Sequence, residues 1–300
     1  MNGFRITKLL PNEWFFGGFL LVTWLRLVAC VGPLDPNALL YLAMLLGGAA
    51  VIACCEARES RPRWYARLWY CPVIMNVTFM TMGSTAMKVV SHRQDAVLER
   101  IDAACVGVTP SVAAQALVAP WLTEIMSFCY LLFFPYLFIS LIYYAWRGVA
   151  AFRQLTVGLF TLYALGFLGY SMVPAAGPYL ALRDSFSVPL TGWAITRFNA
   201  FVVASGSNGV DVFPSLHCAV SCFLLFFDRQ HARWRFRLYV VPCVGLWLAT
   251  IYLRYHYLVD VVVGFALAAF ALWILARWEK RAAASLPDPS PCDPQPITEP

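Results

Sequence analysis

Two short polar segments contain the side chains best suited to catalysis. One covers residues 208–217 and ends at His217, and the other runs from Tyr252 to Asp260; together they hold two of the four histidines in the chain. His256 and Asp260 are four residues apart. On a helix they would share a face, which lets the carboxylate hold the imidazole in one tautomer. This pairing of a base with an orienting group is typical of nucleophilic catalysis.

Other residues in the two segments are suited to an oxyanion such as phosphate. Arg254 carries a planar fork of donors that matches phosphate oxygens. Pro214 is suited to a first helical turn, and either Asp211 or Ser215 to its cap, which predicts His217 in the opening turns of a helix. A helix N-terminus presents unpaired N–H groups and a positive dipole end. The residue types therefore indicate phosphate chemistry.

The composition indicates a membrane protein. Of 300 residues, 61% are apolar and only 13% are charged, and the mean hydropathy is +0.67. Soluble domains are about half apolar and a quarter charged, so an ordinary soluble enzyme, a disordered protein and a nucleic-acid-binding domain are excluded. In a membrane protein, a net charge of +6 sets orientation more often than it binds a polyanion.

The apolar segments predict an all-α fold, a polytopic membrane bundle of about eight transmembrane helices. Lys and Arg concentrate in the loops of one side, so both termini are predicted to be cytoplasmic and the longer connections after Val90 and Val173 to lie outside. Both polar segments then border spans at the outer face. The predicted spans are Trp14–Val31, Ala38–Cys54, Leu68–Val90, Val118–Ala145, Leu155–Val173, Val212–Phe227, Leu238–Leu253 and Tyr257–Trp278.

The same segments resemble signatures of a known family. Phe-Pro-Ser-Leu-His at 213–217 and Arg-Tyr-His-Tyr-Leu-Val-Asp at 254–260 are similar to the second and third signatures of the type 2 phosphatidic acid phosphatase superfamily. The Phe-Pro-Ser-Leu-His form, with Leu216 before the histidine, is closer to the inositol phosphorylceramide synthase-like bacterial branch of the superfamily than to phosphatases that carry Pro-Ser-Gly-His. The Pro- and Gly-rich stretch at 173–179 is similar to a segment at the corresponding place in that branch. The chain is accordingly divided into N-terminal transmembrane helices with a first outer loop (1–100), a six-helix catalytic core like that of the superfamily (101–278) and a disordered cytoplasmic tail (279–300).

The resemblance implies a phosphohistidine mechanism without a metal or a cofactor. His256 would attack the phosphorus of a phospholipid or lipid phosphate donor, and Asp260 would orient it. His217 would protonate the leaving oxygen and then activate a lipid alcohol acceptor. Arg254 and Ser215 would bind the equatorial oxygens.

The excess of Arg over Lys fits a GC-rich bacterial genome, which favours an inner membrane with the site facing the periplasm.

One signature of the superfamily is missing. It is a Lys followed seven residues later by Arg-Pro, but Arg61-Pro62 has Cys54 at that offset and lies on the predicted cytoplasmic side. The sphingolipid-forming transferases show the same pattern, which favours a transferase. Arg183 is the candidate substitute for the missing cations, with Tyr179 assisting. The turn that ends at Tyr179 is expected to line the site, since irregular backbone at membrane depth is tolerated where it faces protein or a water-filled cavity.

Two other functions remain open on the sequence. A lipid phosphate or prenyl diphosphate phosphatase would use the same residues with water as the acceptor. A non-catalytic lipid or anion transporter would use the histidines as a proton relay, although the internal repeat that favours such a fold is not found. Asp102 and Glu124 are predicted to be structural. Arg26, inside the first span, is predicted to contact a headgroup or to snorkel.

Overall fold

Helices make up nearly all of the computed structural model, which describes residues 9–284. The all-α prediction is confirmed for these residues. They form α1 (Pro11–Val31), α2 (Pro36–Ala57), α3 (Arg61–Val89), α4 (Asp95–Val106), α5 (Pro110–Ala113), α6 (Pro120–Leu131), α7 (Phe133–Trp146), α8 (Val149–Met172), α9 (Pro178–Ala181), α10 (Ala194–Gly206), α11 (Leu216–His231), α12 (Arg233–Tyr252) and α13 (Leu258–Ala284).

Several of the helices are apolar enough for a bilayer, so the chain is an integral membrane protein. Five candidate spans meet the requirements of length and composition: α1, α2, the α6–α7 pair, α8 and α13. The remaining predicted spans coincide with α3, α11 and α12. With 16 residues, α11 is about 24 Å long at about 1.5 Å per residue, which is shorter than a hydrocarbon core of about 30 Å.

The central element of the bundle is α8, which packs against α1, α3, α7, α11 and α13. In its most apolar stretch 78% of the residues are buried, against 39% or less in the other four candidate spans. Two glycines explain its close contact with α11, because a Cβ at Gly158 would overlap Phe223 and one at Gly166 would overlap Leu216. The helix that carries His217 is therefore held directly against the core.

A proline separates α6 from α7 within one span. Pro135 has no N–H, and in a continuous helix its ring would clash with the carbonyl of Leu131. The first helix therefore ends at Leu131 and the second begins at Phe133. Tyr130 and Phe133, on either side of this break, both contact the ring of His217.

A buried ionic cluster joins α7, α11 and α12 at the end of α11 that lies away from His217. The carboxylate of Asp228 accepts hydrogen bonds from the hydroxyls of Tyr136 (2.8 Å) and Tyr144 and from Nε of Arg235 (3.0 Å). Asp228 and Arg235 are at most 1% exposed. Because a buried charge without a partner is strongly destabilising, the Asp228 carboxylate and the Arg235 guanidinium stabilise each other. The cluster thereby holds α7, α11 and α12 together.

Two predicted helix boundaries differ from the structure. The predicted sixth span begins at Val212, but α11 begins at Leu216 and leaves Pro214 outside the helix, because Ser215 is the N-cap and its Oγ accepts the N–H of Cys218 at 3.4 Å. The predicted tail at 279–300 is helical through Ala284, where Glu, Lys, Arg and Ala favour helix. The rest of that tail lies outside the described residues.

Arg26 makes protein contacts within the bundle. Its guanidinium donates to Oγ and to the carbonyl oxygen of Ser171, at 3.1 Å each, and contact with a headgroup stays a prediction. Ser171 lies in the last turn of α8, where carbonyl groups have no partner within the helix. The guanidinium therefore finds acceptors inside the bundle.

Candidate active site

Three segments that connect the helices meet at one end of the bundle. The N–H of Tyr179 donates to the carbonyl of Arg254 at 2.8 Å, and the N–H of Ser215 donates to the carbonyl of Asp260 at 3.0 Å. Both polar segments of the sequence are therefore joined through their backbones. The three segments are residues 174–179, 207–217 and 250–260.

The turn after α12 determines the position of His256. Arg254 has φ +67°, the left-handed conformation that usually favours glycine after a helix. This turn brings the N–H groups of Tyr255 and His256 back to the carbonyl of Thr250, at 3.0 and 3.1 Å. The imidazole is consequently buried, with 2% of the residue exposed.

The His256 imidazole has two acceptors at one edge. Its Nδ1 lies 3.1 Å from the carbonyl oxygen of Val212 and 3.5 Å from Oδ2 of Asp260. Contrary to the prediction, the histidine and the carboxylate do not share a helix, because α13 begins at Leu258. Asp260 lies in the first turn of α13, and its carboxylate accepts the N–H of Tyr257 at 2.8 Å. This arrangement favours the tautomer with the proton on Nδ1 and the lone pair on Nε2.

His217 lies beside His256, with 5.9 Å between the ring centroids. Its ring stacks on Tyr130 (4.6 Å) and contacts Phe133 (4.4 Å). Neither ring nitrogen has a hydrogen-bond partner among the described residues. Because a buried polar group without a partner costs about 1–3 kcal/mol, these nitrogens are well suited to bind a ligand. A cavity of about 230 Å³ begins at this ring.

The side chains of Arg254 and Ser215, the predicted phosphate ligands, both make protein contacts. The guanidinium of Arg254 donates to the carbonyl of Val188, and its central carbon lies 4.0 Å from the centre of the Phe186 ring. Its Nε has no partner among the described residues. Oγ of Ser215 is occupied by the cap of α11. The backbone thus brings both residues to the site, whereas the Arg254 side chain contacts the loop at 186–188 and the Ser215 side chain caps α11.

Of the two proposed substitutes for the missing signature, only Tyr179 reaches the converging segments. Its ring lies edge-on to that of Tyr255, with 5.6 Å between centroids. Burial raises the pKa of the Tyr179 hydroxyl, and a hydrogen bond with Ser207 opposes this shift. Arg183 is exposed in a short turn and has no described contact with either catalytic candidate histidine.

A carboxylate that the sequence reasoning missed positions the loop at 174–177. Asp95, at the start of α4, accepts the N–H groups of Ala176 (3.0 Å) and Gly177 (2.9 Å) and the hydroxyl of Tyr257 (3.2 Å). Gly177 has φ +90°, and a Cβ there would overlap the carbonyl of Tyr255. No periodicity or motif marks Asp95, because its partners are distant in the sequence.

Two further carboxylates cap helices near the site, as predicted for structural residues. Asp102 of α4 accepts the N–H groups of Leu258 (2.7 Å) and Val259 (3.0 Å), so that it caps α13. Glu124 caps α10 and accepts the N–H of Ile195 at 2.7 Å. Helix N-termini favour such negative charges. Asp102 thereby holds the turn from which Asp260 reaches His256.

Asp211 is a second missed residue, predicted only as a possible cap. Its Oδ1 accepts the hydroxyl of Ser207 at 2.8 Å, and its side chain borders the cavity beside His217. Burial raises the pKa of the Asp211 carboxyl, while the hydrogen bond from Ser207 and the nearby His256 oppose the shift. Among the described residues, no three or more His, Cys, Asp or Glu side chains are grouped to hold a metal ion.

A family model described as the PAP2 superfamily matches residues 98–274. The match covers more than half of the chain and includes His217, His256 and Asp260. The chain belongs to the PAP2 superfamily. Helices α1–α3 of this PAP2 protein lie outside the matched residues.

This PAP2 protein is also similar to a bacterial enzyme. It is 28% identical over 159 residues to the phosphoinositol dihydroceramide synthase of Bacteroides thetaiotaomicron. The matched region covers 48% of this chain and 51% of the relative. The match therefore spans about half of the relative's length. No solved structure matches the chain significantly. Family and relative together support an enzyme of the lipid phosphotransferase or phosphatase class.

Proposed function

We propose that this PAP2 protein is a membrane-embedded, metal-independent lipid phosphotransferase that moves a phosphorylated headgroup from a phospholipid to a lipid alcohol. The observation that carries the proposal is the pair of imidazoles with ring centroids 5.9 Å apart. One is oriented through Nδ1, and the other has no partner at either nitrogen within residues 9–284. Two rings this close can act on the atoms of one phosphate group.

In the first half of the reaction, Nε2 of His256 attacks the phosphorus of the donor. The new N–P bond forms as the bond from phosphorus to the leaving lipid oxygen breaks, and protonated His217 gives its proton to that oxygen. Asp260 and the Val212 carbonyl keep the proton on Nδ1 and stabilise the positive charge that develops on the ring. The products are a phosphohistidine that carries the headgroup and a free lipid alcohol.

In the second half, neutral His217 takes the proton from the hydroxyl of the acceptor lipid. The acceptor oxygen attacks phosphorus, the N–P bond of His256 breaks, and both histidines return to their starting forms. Arg254 is proposed to turn from Val188 toward the phosphate oxygens when the donor binds, since its Nε has no partner in the described part of the chain. Tyr179 is proposed as a further hydrogen-bond donor.

The surroundings of His217 favour a lipid alcohol over water as the acceptor. Aromatic rings cover this imidazole, and both nitrogens are buried. The relative named phosphoinositol dihydroceramide synthase adds a specific pair of substrates to test first, a phosphoinositol donor and dihydroceramide. A phosphatase would use the same two histidines and differ only in the acceptor.

The test is a mass-resolved turnover assay on the purified protein in mixed micelles with phosphatidylinositol, phosphatidylcholine or phosphatidate, each with and without dihydroceramide or diacylglycerol. We expect a product only when a lipid alcohol is present, and we expect His256→Ala to abolish it. His92→Ala is the matched control, because His92 is exposed and lies outside the three converging segments. Release of a free phosphorylated headgroup or inorganic phosphate without an acceptor would contradict the transferase assignment.

We also propose that the site faces the extracytoplasmic side, which in a bacterium is the periplasm. Two native cysteines test this orientation, since Cys54 and Cys105 are both exposed and lie on opposite predicted sides. A membrane-impermeant maleimide added to intact spheroplasts should label Cys105 and spare Cys54. The reverse labelling pattern would contradict the orientation.

A further inference from the structure

The cavity beside His217 has one polar end and a long apolar interior. Ser207, Asp211 and His217 border the polar end, and the interior is lined mainly by aromatic side chains of α6, α7 and α8 together with residues of α3 and α10. An amphiphile with a hydroxyl and a hydrocarbon chain matches this distribution. We call this space the α3–α7 cavity.

The depth of the α3–α7 cavity corresponds to a lipid chain in one leaflet. Tyr130 and Phe138, which both line it, are eight residues apart along α6 and α7, or about 12 Å at about 1.5 Å per residue. One leaflet of a hydrocarbon core of about 30 Å is about 15 Å deep. The volume of about 230 Å³ is below the range of about 300–1,000 Å³ for pockets that enclose most of a drug-sized ligand. The cavity is therefore suited to one end of a lipid.

The α3–α7 cavity opens sideways between α3 and α7. Asn76 on α3 and Phe138 on α7 both line it and are both exposed, the latter by 48%. Met75 and Phe79, on the same stretch of α3, form the more buried wall. A lipid chain can thus enter from the bilayer without passing through the polar end.

We propose that the α3–α7 cavity binds the hydrocarbon chain of the lipid alcohol and that Met75 and Phe79 determine which chains fit. This inference rests on the proposed function. Because one ring, His217, protonates the leaving alcohol and later deprotonates the acceptor, the two alcohols must place their oxygens at the same point. They therefore occupy the same cavity in turn. Since α3 lies outside the residues matched by the family model, chain selection is contributed by the N-terminal helices.

The first experiment measures binding without turnover. His256→Ala protein in lipid nanodiscs is irradiated with a diacylglycerol that carries a diazirine in the middle of one acyl chain, and the adducts are mapped by mass spectrometry. We expect adducts on the cavity-lining residues of α3 and α7 and a loss of at least tenfold when Met75→Trp is added. Met80→Trp is the matched control, since Met80 is on the same helix and 81% exposed. Equal labelling of both variants, or adducts spread evenly over exposed helices, would overturn the proposal.

The second experiment measures chain selection in the active protein. Tryptophan at position 75 displaces about two methylene groups of the bound chain, and each buried methylene contributes a factor of about four, so kcat/KM for a long-chain acceptor should fall about 15-fold. A short-chain acceptor should be affected much less. Phe138→Trp at the half-exposed mouth tests the same cavity if Met75→Trp does not fold, with Ile142→Trp as its exposed control.

The two experiments separate the failure of this inference from the failure of the proposed function. Turnover by the unmodified protein with an unchanged chain-length profile in both variants would remove the cavity assignment and leave the transferase intact. Specific labelling of the cavity in a protein that transfers no headgroup would retain the lipid site and remove the transferase.

Discussion

The Asp260→Asn variant distinguishes the contributions of the two acceptors that contact the His256 imidazole. Nδ1 of His256 lies 3.1 Å from the Val212 carbonyl and 3.5 Å from Oδ2 of Asp260. The amide keeps the size of the side chain and an acceptor oxygen for the N–H of Tyr257, but it carries no charge. The Val212 carbonyl belongs to the backbone and is unchanged. We therefore expect the variant to keep the tautomer and to lose only the electrostatic support.

The expected loss of rate follows from these distances. Where a carboxylate alone fixes the tautomer of a catalytic histidine, replacement by an amide lowers kcat by about 10⁴. Two full charges about 4 Å apart attract by about 4 kcal/mol at an effective dielectric constant of 20, so a half-developed charge on His256 contributes about 2 kcal/mol. That energy corresponds to a factor of about 30. We expect kcat of Asp260→Asn to fall between about 10-fold and 100-fold.

The assay is the initial rate of headgroup transfer at saturating donor and acceptor for the wild type, Asp260→Asn and His256→Ala. Thermal unfolding of each variant checks that the protein is folded. A loss as large as that of His256→Ala would refute the role given to the Val212 carbonyl. An unchanged kcat would refute any role of the Asp260 charge.

Three other carboxylates give different outcomes in unfolding and turnover. Asp102→Ala should lower the free energy of unfolding by about 2–4 kcal/mol, because two N–H groups at the start of α13 lose a charged acceptor. In denaturant or thermal melts, the stability of Asp102→Asn should lie between those of the wild type and Asp102→Ala. Burial raises the pKa of the Asp211 carboxyl in the folded protein, so the free energy of unfolding falls as pH rises through that pKa and the carboxyl ionises. Asp211→Asn removes this ionisation and should therefore raise Tm more at pH 8 than at pH 4. A lower Tm of the variant at pH 8 would contradict this. Asp228→Ala leaves Arg235 buried and unpaired and should cost about 3–5 kcal/mol, while kcat of the folded fraction stays near that of the wild type; a selective loss of kcat would contradict the purely structural role.

The fold class and the helix positions were predictable because apolar length and the positions of basic loops act locally. His217 was correctly expected in an opening helical turn, since Ser215 is a suitable N-cap two residues earlier. The residue types at 254–260 likewise indicated a base with an orienting carboxylate, and the structure brings His256 and Asp260 together. These features depend on neighbours within a few residues.

The contacts that the sequence could not predict join residues far apart in the chain. Asp95 and Asp102 bind backbone N–H groups at 176–177 and 258–259, and nothing in their own neighbourhood indicates these partners. The start of α13 was predicted to within one residue, but its capping carboxylate could not be predicted for the same reason, because Asp102 comes from α4. The position of the Arg254 guanidinium against Val188 depends on how a long loop folds back.

The capping of α13 by α4 also has a consequence for the order of biosynthesis. Asp102 and Leu258 are 156 residues apart, so at about 5–20 residues per second the ribosome needs about 8–30 s to deliver the second after the first. His217 and His256 are both made late in that interval, before the helix that carries Asp260. The proposed headgroup transfer should therefore reach its full rate only after the last helix has entered the membrane, and a chain that terminates early at residue 257 contains both histidines without the carboxylate that orients His256.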